Sequence, residues 1–238
     1  MQRIFLACMA FLLAANTWAA DTLLVAAGAG YRRPVTQLLE EFTKASGIKT
    51  EASFGNMKQV ETQARQNPDI ALLIGDRAFL EPMGLAERFQ HLGTGKLVLV
   101  AARGQTLAAI ADLRQSHFKR IAIPDRTKAV YGNAAVTCLE RLGLAQPLAE
   151  RLLEVATVPQ VGAYLVTGEV DAGFVNRTEA LALAGRAGDA IDAPQDCYDP
   201  IELSVGVLQG RADSPAARAL LDYLASPAAR KVLERHGM

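Results

Sequence analysis

Short apolar runs alternate along this chain with longer stretches in which apolar positions recur every three or four residues. "TLLVAA" (22–27) reads as a buried strand. After the turn "GAGYRR", Val35, Leu38, Leu39 and Phe42 fall on one face of a helix over residues 34–45, with Pro34 at its first position. "IKTEASF" alternates as a strand, residues 57–66 suit a helix, and "DIALLIG" is a buried strand closed by Gly75. "GKLVLVAA" is a further strand, and "RIAIPD" leads to a helix over residues 131–142 that stops at Gly143. The helix "VPQVGAYLVTG", the strand "AGFVN", the helix "RTEALALAG" and the strand "IELSVGVLQ" follow, and "PAARALLDYLA" and "PAARKVLERHG" close the chain as two short helices. This order predicts an α/β fold of mixed sheets flanked by helices. No internal repeat is visible.

The 238 residues, half of them apolar, suffice for one or two domains with a sizeable core. Twenty-five basic side chains balance 25 acidic ones, with no long basic run, which argues against nucleic acid or an anionic membrane as partner. Residues 1–20 stand apart from the fold: a basic start at Arg3, an apolar core over 4–15 and a small-residue end mark a secretory signal peptide. Cleavage is expected after Ala19, because Thr17 then fills the small site that Trp18 would fill badly. The core is shorter than the roughly 20 apolar residues of a membrane span, and "LAC" at residues 6–8 lies too near Met1 to be a lipidation site. The protein is therefore expected in the periplasm. Its two remaining cysteines, Cys138 and Cys197, either bridge, as the oxidising compartment permits, or stand as separate thiols.

Signatures of catalysis are scarce. His91, His117 and His236 are far apart, and no HExxH, GxSxG or paired-cysteine zinc spacing occurs. "GAGYRR" opens like a dinucleotide loop but lacks the third glycine. Asp76, Asp125 and Asp171 sit singly at strand ends, where turn formation and helix capping account for them. The pattern predicts neither an enzyme nor a resident cofactor or metal.

Taken together, "AAGAG", "SFGNM", "DIALLIGD", "GKLVLVA", "IAIPD" before "YGNAA", "GEVDAGFV" and "YLASPAARKVLERHG" follow the order of a type II periplasmic solute-binding protein. The chain most resembles the molybdate- and tungstate-binding proteins of ABC importers. The resemblance implies a two-lobe fold with a ligand cleft between the lobes. Lobe I would hold residues 21–98 plus 206–238 and lobe II residues 99–205, with crossings in "LVLVAA" and "IELSVGV". It further implies a monomer that delivers a small anionic ligand to an inner-membrane ABC permease. Four loops, 29–33, 55–57, 128–133 and 158–160, would face the cleft, with Asn176 nearby. The implied ligand residues are Ala29, Gly30, Tyr31, Arg32, Asn56, Met57, Tyr131, Gly132, Val158 and Asn176.

Helix starts suit an anion, because first-turn N–H groups are unpaired and carry partial positive charge. Arg32 and Arg33 oppose that dipole; they either lend charge to the ligand or point to solvent at a cost of only tenths of a kcal/mol. The site also departs from the family. Gly30 and Met57 stand at serine positions, Asn176 at a tyrosine position, and Tyr131 where a small residue gives its amide; Val158 is kept. Tyr131 offers a phenol or caps the cleft, and Asn56 and Asn176 offer amides or serve turns. Three lost hydroxyls lean towards a changed solute. The implied function is a receptor for a molybdate- or tungstate-like oxyanion. The alternatives are a receptor for an organic acid or metal complex, and a periplasmic accessory or sensor protein.

Overall fold

The computed structural model describes residues 22–238; the expected signal segment and cleavage site lie outside the described residues. Two five-stranded sheets organise them. The first takes β1 (Leu23–Gly28), β2 (Thr50–Gly55), β3 (Ile70–Asp76), β4 (Ala86–Gly95) and β10 (Ile201–Leu208) in the order β2-β1-β3-β10-β4. The second takes β5 (Leu97–Ala101), β6 (Ile121–Pro124), β7 (Leu152–Val155), β8 (Ala172–Asn176) and β9 (Ala190–Asp192) in the order β7-β6-β8-β5-β9. In each sheet three strands run parallel, joined by helices. The strand that follows a crossing, β10 or β5, enters antiparallel to its neighbours. The helices are α1 (Arg32–Ser46), α2 (Met57–Gln66) and α3 (Arg77–Leu80), then α4 (Val130–Arg141), α5 (Ala145–Leu148), α6 (Val158–Thr167) and α7 (Arg177–Leu183). Two more, α8 (Pro215–Leu224) and α9 (Pro227–Arg235), complete the chain. Among the described residues no helix is long and apolar enough to cross a membrane.

The central strands β3 and β5 are buried along their whole length, as near-continuous Leu, Ile and Val runs dictate when helices cover both faces. That same continuity makes the crossings hard to read. Residues 97–101 and 201–208 each lie within one sheet, so the chain changes lobe just ahead of them, at Lys96 and near Pro200, rather than inside the apolar runs. Three strands were not expected from the pattern: β4, β7 and β9 are edge strands, largely half-buried or exposed, with no alternation of apolar positions to betray them.

Helix α1 begins at Arg32, two residues before the expected start, because a single 3-10 turn at Ala29–Tyr31 feeds straight into it. Pro34 is still tolerated there, since an N–H in the first turn has no intrahelical acceptor to lose. Cys138 on α4 and Cys197, in the turn that precedes the return to the first lobe, are joined by a disulfide, which resolves the alternative left open by their spacing.

Candidate functional site

Where the two lobes face each other, a half-enclosed cavity of about 20 Å³ is lined by residues 28–31, 55–57, 129–131 and 157–158. Each segment is the start of a helix: α1 with its preceding turn, α2, α4 and α6. Two starts come from each lobe. Glycine and alanine at positions 28, 29 and 30 let the backbone of the first segment approach closely. No charged side chain lines the cavity. The field inside it comes from four helix N-termini, whose partial positive charges add where they converge. The N–H groups of Val130, Tyr131 and Val158 lie in first turns and have no intrahelical acceptor. The Met57 N–H donates across the cleft to the Lys128 carbonyl at 2.8 Å.

Seven of the ten residues implied by the sequence line this cavity: Ala29, Gly30, Tyr31, Asn56, Met57, Tyr131 and Val158. Arg32, Gly132 and Asn176 do not. The Arg32 guanidinium stacks on the Phe54 ring, 4.3 Å from its centre. Gly132 packs against the backbone of Pro124 and Asp125, where a Cβ would stand 2.4 and 2.2 Å from their carbonyl oxygens. Asn176 caps α7 by accepting from the Glu179 N–H at 2.9 Å, and its amide donates to the Gly30 carbonyl of the other lobe at 2.8 Å. Asn56 is likewise a cap: its side chain accepts from the Gln59 N–H while the Gln59 side chain accepts from the Asn56 N–H. Both asparagines thus cap helices through their side-chain oxygens. The Met57 thioether packs into the space left by Gly28 and Gly75.

Tyr31 and Tyr131 meet from opposite lobes. The Tyr31 hydroxyl donates to the Tyr131 hydroxyl at 3.3 Å, and the rings pack edge to face. Burial raises both phenol pKa values, with Asp76 nearby adding to each shift, so both remain protonated donors. Burial also moves the Asp76 carboxyl up to about 6, against the opposing pull of backbone N–H groups that include that of Glu202. Thr157, which lines the cavity, was missed by sequence reasoning; its signal is a hydroxyl just before "VP" at a helix start.

Arg33 ties the lobes together. It forms an ion pair with Glu179, which is buried against α6 where Gly162 has no side chain to displace it. Neither arginine faces the cavity: one stacks on a neighbouring strand and the other bridges lobes. Because Arg33 is itself half-exposed, its removal should cost the closed arrangement about 1–2 kcal/mol rather than the several of a fully buried pair. Ligand-free Arg33→Ala should therefore show a larger radius of gyration by small-angle scattering than the parent. An unchanged radius would mean that the pair does not hold the lobes together.

Residues 23–238 match the family model for bacterial extracellular solute-binding proteins. The chain is 33% identical to the molybdate-binding protein ModA of Azotobacter vinelandii, over 100% of this chain and 97% of that protein. Its fold superposes on the solved periplasmic molybdate-binding protein of the same organism with a TM-score of 0.82 at 24% identity, covering 90% of this chain and 97% of that one. An aconitate isomerase from a Pseudomonas species is 26% identical over 91% of this chain and 87% of the enzyme.

Proposed function

Because the chain belongs to the bacterial extracellular solute-binding protein family, we propose that it is the periplasmic receptor of an ABC importer for a tetrahedral oxyanion of the molybdate and tungstate class. The observation that carries this reading is the convergence of four helix N-termini on a small cavity lined by no cation. Such a site draws an anion to backbone N–H groups and helix dipoles without a cation. It therefore tolerates the loss of side-chain hydroxyls at Gly30, Met57 and Asn176 better than the sequence comparison implies. The relatives named for molybdate support the same class.

The isomerase relative raises the enzyme alternative. The lining of the cavity holds no carboxylate, histidine or lysine to move a proton.

Calorimetry is the appropriate probe, because the only tryptophan, Trp18, lies in the signal segment. Molybdate and tungstate should bind with measurable heat. A hundredfold excess of either over its Kd should add about 2.7 kcal/mol of stability and raise Tm by roughly 5–10 °C. Heat and a Tm shift with an organic acid, and none with either oxyanion, would sink the reading in favour of a changed solute.

A further inference from the structure

We infer that the hydroxyl of Thr157 donates a hydrogen bond to the bound oxyanion and so restores, from a new position, part of the hydroxyl shell lost at Gly30, Met57 and Asn176. This rests on the oxyanion reading above and names a residue that sets the affinity of the same site.

Thr157 is the N-cap of α6, with extended backbone (φ −148°, ψ 159°). A threonine there ordinarily turns its oxygen onto the N–H two or three residues ahead. Here that role is closed off. The second helical residue is Pro159, which has no N–H. The third, Gln160, gives its N–H to the Thr157 backbone carbonyl at 3.1 Å. The Thr157 side chain accordingly makes no capping hydrogen bond. Capping is completed from the other side, where the Gln160 side chain accepts from the Ala156 N–H at 2.9 Å. The hydroxyl is released from the helix it would otherwise serve, on a residue that lines the cavity and is only half-buried.

Its surroundings supply the rest. The adjacent Val158 N–H points from the same helix start and has no intrahelical acceptor. An oxyanion held by that N–H lies within reach of a hydroxyl one residue earlier. Among the other polar side chains of the lining, the Asn56 carbonyl oxygen is taken by its cap and the Tyr31 hydroxyl donates to that of Tyr131, while Tyr131 and Thr157 keep hydroxyl protons with no acceptor in the fold. Thr157 is thus the lining side chain that makes no hydrogen bond at all within the fold, among the described residues, and it sits beside the Val158 N–H.

The test is calorimetric titration of molybdate into the parent protein, Thr157→Val and Thr157→Ser. Valine keeps the branched shape and the extended backbone while deleting the donor; serine keeps the donor. Thr157→Val should bind molybdate about ten- to a hundredfold more weakly, the loss expected for a hydrogen bond to a charged group. Thr157→Ser should stay within about threefold of the parent. Ligand-free melting of both variants should match the parent, because the hydroxyl bonds to nothing in the fold. Equal affinity of Thr157→Val and the parent overturns the assignment and leaves the oxyanion reading standing. Failure of the parent to bind molybdate or tungstate overturns the reading, and the assignment with it.

Discussion

Gly132→Ala should be among the most damaging single methyl additions to this protein. The new Cβ would stand 2.2 Å from the Asp125 carbonyl oxygen and 2.4 Å from that of Pro124. Both are backbone atoms at the end of β6, so no rotamer change relieves the contact, and α4 must retreat from the sheet. Overpacking of this kind costs about 1–3 kcal/mol when side chains can adjust, and here, where they cannot, about 3–4 kcal/mol. In urea the midpoint should fall with little change in slope. The functional effect should be separable, because the retreat moves the N–H groups of Val130 and Tyr131 out of the cavity. The folded fraction of Gly132→Ala should therefore bind oxyanion more weakly than the parent. Asn133→Ala, at the exposed neighbouring position, should be neutral within about 0.5 kcal/mol. A loss of less than 1 kcal/mol for Gly132→Ala would mean that α4 is not pinned to β6 at this glycine.

Gly132 also marks where the sequence was legible and where it was not. Its place in a cleft-facing loop could be read from "YGNAA" after "IAIPD", but its contact is with the backbone behind it, and only the path of the chain reveals that. The central strands and amphipathic helices were readable because burial on both faces, or on one stripe, leaves a periodic trace. The edge strands β4, β7 and β9 leave none, since half their positions meet water. Assignments at the site divide the same way. Backbone-lined positions such as Ala29, Gly30 and Val158 follow from loop order, and the structure brings them to one cavity. Asn56, Asn176 and Arg33 go to partners fixed by local geometry or by distant residues; Arg33 and Glu179 are 146 positions apart. Thr157 could have been found by asking what a threonine does when the helix it caps has proline in its first turn.

Removing the disulfide should have the other large effect. Cys138→Ala combined with Cys197→Ala deletes a link between positions 59 residues apart. In the chain-entropy model a loop of this length corresponds to about 4 kcal/mol of lost stability. For a chain of this size that is a fall in Tm of roughly 10 °C. Alanine is the right replacement, because both sulfurs are buried and a serine would bring in a hydroxyl without an assured partner. Burial also means that mild reductant should leave the native protein bonded, and that thiol reagents should find two new thiols only after unfolding and reduction. The link joins α4 to the segment returning to the first lobe, yet the cavity end of α4 is held independently by Gly132 and by the Tyr31–Tyr131 contact. Oxyanion affinity should therefore fall far less than stability, by no more than a few fold at 25 °C. Protein made in a reducing compartment should melt like the double variant and recover the parent's Tm on oxidation. A double variant that melts within about 3 °C of the parent would show that the unfolded chain is already restrained without the link, and that the bond adds little to the native fold.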